Sequence, residues 1–214
     1  MSIPSASSLP NAYDGRMDAP VSIRLFDVAE RHGGYFTTAE ALEASISNRV
    51  LTHFVGRGVL QRVAHGIYRL VGYPSHAHGD LLVTALWAGP GSAVSHESAL
   101  AVYAVAQAAP PVIHLTVPRP FRGRRLGVRI HLADLPASAT RIRDDVPVTS
   151  VERTLIDVAT TSDPSLVRDA VHECLERGLT TRTRLTLALS EVTDGRTQIR
   201  HAWGVRLTPA PDPR

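Results

Sequence analysis

Ser47-Asn48-Arg49-Val50-Leu51-Thr52-His53-Phe54-Val55-Gly56-Arg57-Gly58 is the stretch that decides the fold. Val50, Leu51, Phe54 and Val55 fall on one face of a helix. Ser47 stands at the expected N-cap, and Gly56 and Gly58 end the run. Opposite the apolar stripe lie Arg49, Thr52, His53 and Gly56, flanked by Asn48 and Arg57. The segment therefore predicts a helix with one buried face and one polar face that carries no carboxylate.

Two more helices precede it. Val21, Leu25, Val28 and Ala29 recur at helical spacing, and Gly33-Gly34 stops that helix. Thr37 with Glu40 is a capping box for a short helix through Ala44. Downstream, Leu60-Gln61-Arg62-Val63 and Ile67-Tyr68-Arg69-Leu70 flank His65-Gly66, a β-hairpin with a two-residue turn ending in glycine. Helix, helix, helix, hairpin is the order of a winged helix-turn-helix. There the third helix enters the DNA major groove and the hairpin lies along the backbone.

The charges agree with that placement. Residues 47–75 contain Arg49, Arg57, Arg62 and Arg69 and no Asp or Glu, whereas Asp27, Glu30, Glu40 and Glu43 lie on the two preceding helices. Arg and Asn can make bidentate contacts with base edges. DNA contact is accordingly assigned to Asn48, Arg49, Thr52, His53, Arg57, Arg62, His65 and Arg69, with Gly56 allowing close backbone approach.

Composition bounds the rest. The chain has 214 residues, 43% hydrophobic and 20% charged, which excludes wholesale disorder. No apolar run approaches the ~20 residues of a membrane helix. Residues 1–20 have no apolar block behind a basic start, as a secretory signal would. The lone Cys174 excludes an internal disulfide framework and a Cys-based zinc site. These features predict a cytoplasmic protein with no membrane partner. All 23 basic residues are Arg, so neither a phosphate-loop lysine nor the strand lysine of an ordinary protein kinase exists.

An α+β chain is expected, in four stretches: a disordered leader over 1–19, the winged helix over 20–75, a mixed α/β domain with a small sheet over 78–193, and a flexible, proline-spaced tail over 194–214. Within 78–193, helices are predicted at Asp80–Ala88 and Ser95–Ala108. Strands are predicted at Val112–Val117, Gly127–Leu132 and Asp145–Val148. A Thr149/Glu152 capping box should open a helix to Ala159, and Asp163-Pro164 should open the next. A last short helix follows Thr180.

Several constellations could carry chemistry. Arg119, Arg122, Arg124, Arg125 and Arg129 cluster without an acid around Phe121, so this loop is a candidate for phosphate binding or for docking on an acidic protein surface. His76-Ala77-His78-Gly79-Asp80 has a metal-ligand spacing, but lacks the following His of the metallo-hydrolase pattern and reads as a polar linker. Ser95, His96 and Glu97 are helix neighbours pointing different ways, with Ser95 the N-cap. His114 and His131 oppose the apolar faces of their strands and share a sheet face with Asp134 nearby; a solvated face is the simpler reading. Arg153 and Asp157, i and i+4, pair with each other. No catalytic residue, metal ligand set or cofactor is assigned.

Gly34-Tyr35-Phe36-Thr37-Thr38-Ala39-Glu40-Ala41 through Gly66-Ile67-Tyr68-Arg69-Leu70 resembles the winged-helix start of the AbiEi-type antitoxins. Ser95-His96-Glu97-Ser98-Ala99-Leu100, Ile113-His114-Leu115-Thr116-Val117-Pro118 and Pro147-Val148-Thr149-Ser150-Val151-Glu152-Arg153-Thr154-Leu155-Ile156-Asp157 look like that family's second-domain signatures, so the likeness spans roughly residues 21–190. The resemblance implies an antitoxin of a toxin–antitoxin system. It would bind operator DNA as an autorepressor through Arg49, Arg57, Arg62 and Arg69, and would neutralise a nucleotidyltransferase-like toxin, in some members without a stable complex. An alternative implied by the family is an atypical ATP-dependent kinase that phosphorylates the toxin. It would need ATP and Mg²⁺, drawing on Arg119–Arg125 with Asp134, Asp144 or Asp145. A transcription regulator with an unrelated sensor domain is the third reading.

Overall fold

A computed structural model describes residues 19–190. The leader and tail expected at 1–19 and 194–214 lie outside the described residues, apart from Ala19. The described chain is α+β and divides into two compact units, residues 19–90 with 142–147 and residues 91–141 with 148–190.

The first unit opens with α1 (Ala19–Glu30), β1 (Tyr35–Thr37), α2 (Thr38–Glu43) and α3 (Asn48–Gly56), followed by β2 (Leu60–Ala64), β3 (Ile67–Leu70) and α4 (Gly79–Ala88). Its antiparallel sheet has the order β1-β3-β2. Leu25, Phe36, Leu51, Phe54, Leu60 and Leu70 pack into one core, with Val50 and Val55 against its edge, as the stripe on α3 requires. The wing turn is His65-Gly66, with Ala64 opposite Ile67 and a bulge between Arg62 and Ala64. Gly66 sits at φ +69. Its carbonyl accepts from the backbone N–H of Thr38 at 2.8 Å, which ties the wing to the start of α2.

Tyr35–Thr37 was not expected to be a strand. It pairs with β3 from Tyr35↔Arg69 to Thr37↔Ile67, and only its last residue acts as the cap of α2. Gly34 makes this entry possible: it has φ +95, and a Cβ there would meet the Tyr73 ring at 2.7 Å. α4 groups with the winged helix and not with the second unit, so the first unit runs beyond the boundary expected at residue 75. The sequence showed a helical pattern at Asp80–Ala88 but not which core buries it.

The second sheet has the order β6-β5-β4-β8-β7: β4 (Ala93–Val94), β5 (Ile113–Val117), β6 (Val128–Leu132), β7 (Thr140–Arg143) and β8 (Val146–Thr149). β5 runs parallel to β6 and antiparallel to β4, and β4 runs parallel to β8. The helices are α5 (His96–Val102), α6 (Val151–Thr161), α7 (Pro164–Glu176) and α8 (Arg182–Ser190). Leu100, Leu115, Val148, Leu155, Val171 and Leu185 are buried. α5 stops at Val102 and not near Ala108, because Ala104, Ala106 and Gln107 take left-handed φ of 52°, 55° and 49°. α6 is capped by Ser150, whose hydroxyl accepts from the Arg153 N–H. The expected Thr149/Glu152 box does not form, since Glu152 turns inward to accept from Thr180 Oγ1 at 2.6 Å and to meet Arg184 Nε at 3.0 Å. Asp163 caps α7 with Pro164 in its first turn, as expected.

The Thr37–Glu40 box forms in full. The Thr37 hydroxyl accepts from the Glu40 N–H, and the Glu40 carboxylate accepts from the Thr37 N–H and hydroxyl at 2.8 Å each. His32 Nε2 lies 2.7 Å from the same carboxylate. Burial alone would raise the Glu40 carboxyl. The hydrogen bonds from His32 and Thr37, with the attraction of His32, outweigh burial and bring it down to about 2. The folded value lies below the ordinary 4.5, so the stabilisation is fully present above that pH and is lost as pH falls toward 2. Glu40→Gln should lower stability at pH 7 by on the order of 1–3 kcal/mol and flatten the acid limb of a stability–pH curve below pH 4.5. Denaturant melts of both proteins across that range check this.

Candidate nucleic-acid interface

Burial of Leu51 and Phe54 fixes the rotation of α3 and turns Asn48, Arg49, Thr52, His53 and Arg57 outward, all exposed. On the wing, Arg62 and His65 are exposed as well. The structure therefore brings seven of the eight expected DNA contacts to solvent on α3, its C-terminal end and the β2–β3 hairpin. Arg69 differs. It is half-buried on β3, and its Nη2 donates to the Tyr73 carbonyl at 3.0 Å, which commits part of the guanidinium to holding the chain after the wing.

Some of the outward groups are already oriented. Arg62 Nη2 lies 3.1 Å from His65 Nδ1 across the turn, so the two present one polar cluster at the wing tip. Thr52 Oγ1 donates to the Asn48 carbonyl at 2.9 Å, a bond one turn back within α3. Ser47 occupies the N-cap position of α3 but makes no side-chain cap bond. A Cβ built on Gly56 meets nothing within 4 Å, so the space around that position is open.

The other constellations fall elsewhere. His76 and His78 have ring centroids 6.1 Å apart, and His76 Nδ1 accepts from the His78 N–H, as a structured linker would. Arg153 Nε meets Asp157 Oδ1 at 2.7 Å, as expected. Arg119, Arg122, Arg124 and Arg129 are exposed and Phe121 and Arg125 half-buried. They lie on, or just past, the connection between the parallel strands β5 and β6, a link usually made by a helix. Asp134, Asp144 and Asp145 do not join other ligand-type residues in a group of three among the described residues.

His114 and His131 do share a sheet face, but it is not solvated. His114 and Thr116 are buried, because Ser95, His96 and Ser98 cover that side of β5. His96, at the first position of α5, completes a trio that the sequence did not reveal. Its ring stacks on His131 with centroids 3.7 Å apart, and His114 Nδ1 lies 3.1 Å from His131 Nε2. Burial first, then the neighbouring imidazoles and Arg129, pushes His96 down to about 3 and His131 to about 4. Burial and Arg129 also lower His114, against the pull of Glu97.

Comparison with known proteins bears on the first unit. Residues 24–71 match the family model described as "Transcriptional regulator, AbiEi antitoxin". Over this region the chain is similar to that family. The match begins in α1 and ends just past β3, so it takes in α2, α3, the wing and every one of the eight proposed contacts. Among solved structures, the crystal structure of the RV2827C protein from Mycobacterium tuberculosis is similar over 91% of this chain and 80% of its own, at 16% identity and a TM-score of 0.50, a likeness of fold. None of the curated proteins matches the chain.

If the outward face of α3 meets phosphates, its removal has a defined signature. Arg49→Ala/Arg57→Ala should weaken binding to DNA from the protein's own promoter. The slope of log affinity against log salt should flatten by about 0.9 for each phosphate that is no longer neutralised. Unchanged affinity and slope in the folded double variant would remove α3 as the reader.

Proposed function

We propose that the protein is an antitoxin that also represses its own operon. The AbiEi-type winged helix of the first unit binds operator DNA, and the second unit antagonises a nucleotidyltransferase-like toxin. The observation that carries this reading is the acid-free, exposed face of α3 and the wing, which coincides with the family-matched segment. Such a face attracts phosphate without self-cancelling charge, and Arg and Asn at its centre suit base edges. A cytoplasmic setting accords with that role. Among the described residues no helix is long and apolar enough to cross a membrane.

The toxin-facing role falls to the second unit, and its best candidate surface is the arginine loop. Arg119, Arg122, Arg124, Arg125 and Arg129 offer fork-shaped donors for carboxylate or phosphate, beside Phe121. Arg loops of this kind add little to a core. Exposed substitutions usually change stability by less than about 0.5 kcal/mol. Two full-length variants test the division of labour. Arg49→Ala/Arg57→Ala should derepress a promoter reporter while still rescuing cells that express the cognate toxin. Arg122→Ser/Arg124→Ser/Arg125→Ser should melt as the parent does, keep repression and fail to rescue. Rescue by the triple variant would exclude the loop, and failure of the double variant to rescue would contradict separate surfaces.

A further inference from the structure

We propose that His96, His114 and His131 form a binding site for a divalent transition-metal ion of the Zn²⁺ type within the second unit. Each offers one ring nitrogen, and the three nitrogens all lie within 4.8 Å of one another. Four tetrahedral ligands at the usual zinc–nitrogen distance of about 2.0–2.1 Å stand about 3.3 Å apart. His114 Nδ1 and His131 Nε2, at 3.1 Å, already match that edge. His96 completes the set within the same 4.8 Å.

The chemistry of the donors narrows the ligand. Three imidazoles with no carboxylate or thiolate in the group suit borderline ions such as Zn²⁺ and Co²⁺, not Mg²⁺ or Ca²⁺, which take oxygen. The 3.1 Å contact between His114 and His131 needs one proton between two nitrogens. A metal takes the place of that proton, which moves to the far nitrogen of the same ring, so each ligand stays neutral. With three protein ligands, the fourth position falls to water, and half-buried His131 on edge strand β6 is the route from solvent.

The surroundings resemble the support that metal-bound histidines require. Such a ring usually hydrogen-bonds through its other nitrogen, which fixes its orientation. His96 Nδ1 is 2.9 Å from Ser95 Oγ, leaving Nε2 as the ligating atom, and Ser95 Oγ in turn accepts from Thr116 Oγ1 at 2.8 Å. The backbone of His114 is pinned as well, its N–H donating to Ser98 Oγ at 2.9 Å. His96 holds φ +52, a conformation that costs a non-glycine residue energy and that places its ring over β5 and β6.

The test uses the untagged full-length chain, stripped with EDTA and desalted. Titration with Co²⁺ should produce visible absorption bands of a tetrahedral ion, saturating at one equivalent and bleached by Zn²⁺. His131→Gln, with an unchanged circular dichroism spectrum, should weaken binding at least ~100-fold, since changes even to outer-shell partners cost 10–100-fold. His78→Gln should bind as the parent does. X-ray absorption of the Zn²⁺-loaded parent, which depends on no variant folding, should show three imidazole ligands. Failure of the parent to bind one equivalent, fewer than three imidazoles, or full affinity in His131→Gln would overturn the site.

Discussion

The buried contact of Leu51 and Phe54 with the core formed by Leu25, Phe36 and Leu60 is the constraint on which the proposed interface depends. Burying such a side chain is worth roughly 1.5–3 kcal/mol, and truncating one to alanine costs about 2–5 kcal/mol. A helix held by two such residues on one face cannot rotate without exposing them. Asn48, Arg49, Thr52, His53 and Arg57 are therefore presented outward as a consequence of packing. The wing is held by the Gly66 carbonyl bonded to Thr38 and by the pairing of β3 with both β1 and β2.

Charge partition does the rest. The acids of the winged helix sit on or beside α1 and α2, where Glu40 is engaged by the cap and by His32. Because that carboxylate is held locally, it adds no exposed negative charge to the face formed by α3 and the wing. The second unit follows a different logic. Its conspicuous polar groups are turned inward: Glu152 toward Thr180 and Arg184, and the three imidazoles toward one another. Its densest run of like charge lies on the connection between two parallel strands and the start of β6.

The parts of the fold legible in the sequence are those that a local period or a cap specifies. The 3.6-residue stripe of α3, the glycine-ended turn of the wing, the Thr37–Glu40 box and the Asp163-Pro164 start of α7 all belong to this class. What escaped depends on pairing across long separations. β1 is three residues that read as the approach to a cap, and β4 is two. β7 did carry a signal, since Asp144 and Asp145 both take positive φ (47° and 60°) in the tight turn before β8, and paired Asp suits such a turn. The histidine trio was half visible: alternation placed His114 and His131 on one face. Only the parallel register of β5 and β6, with α5 laid over them, buries that face and adds His96.

The proposed DNA-reading surface is one face of one helix with its wing. Amide chemical-shift mapping of the full-length chain, titrated with a duplex from its own promoter, tests this most directly. The largest perturbations are expected within Asn48–Arg57 and around Arg62–His65, diminishing at higher salt. Perturbations confined to Arg119–Arg129, with residues 48–65 unmoved, would contradict it.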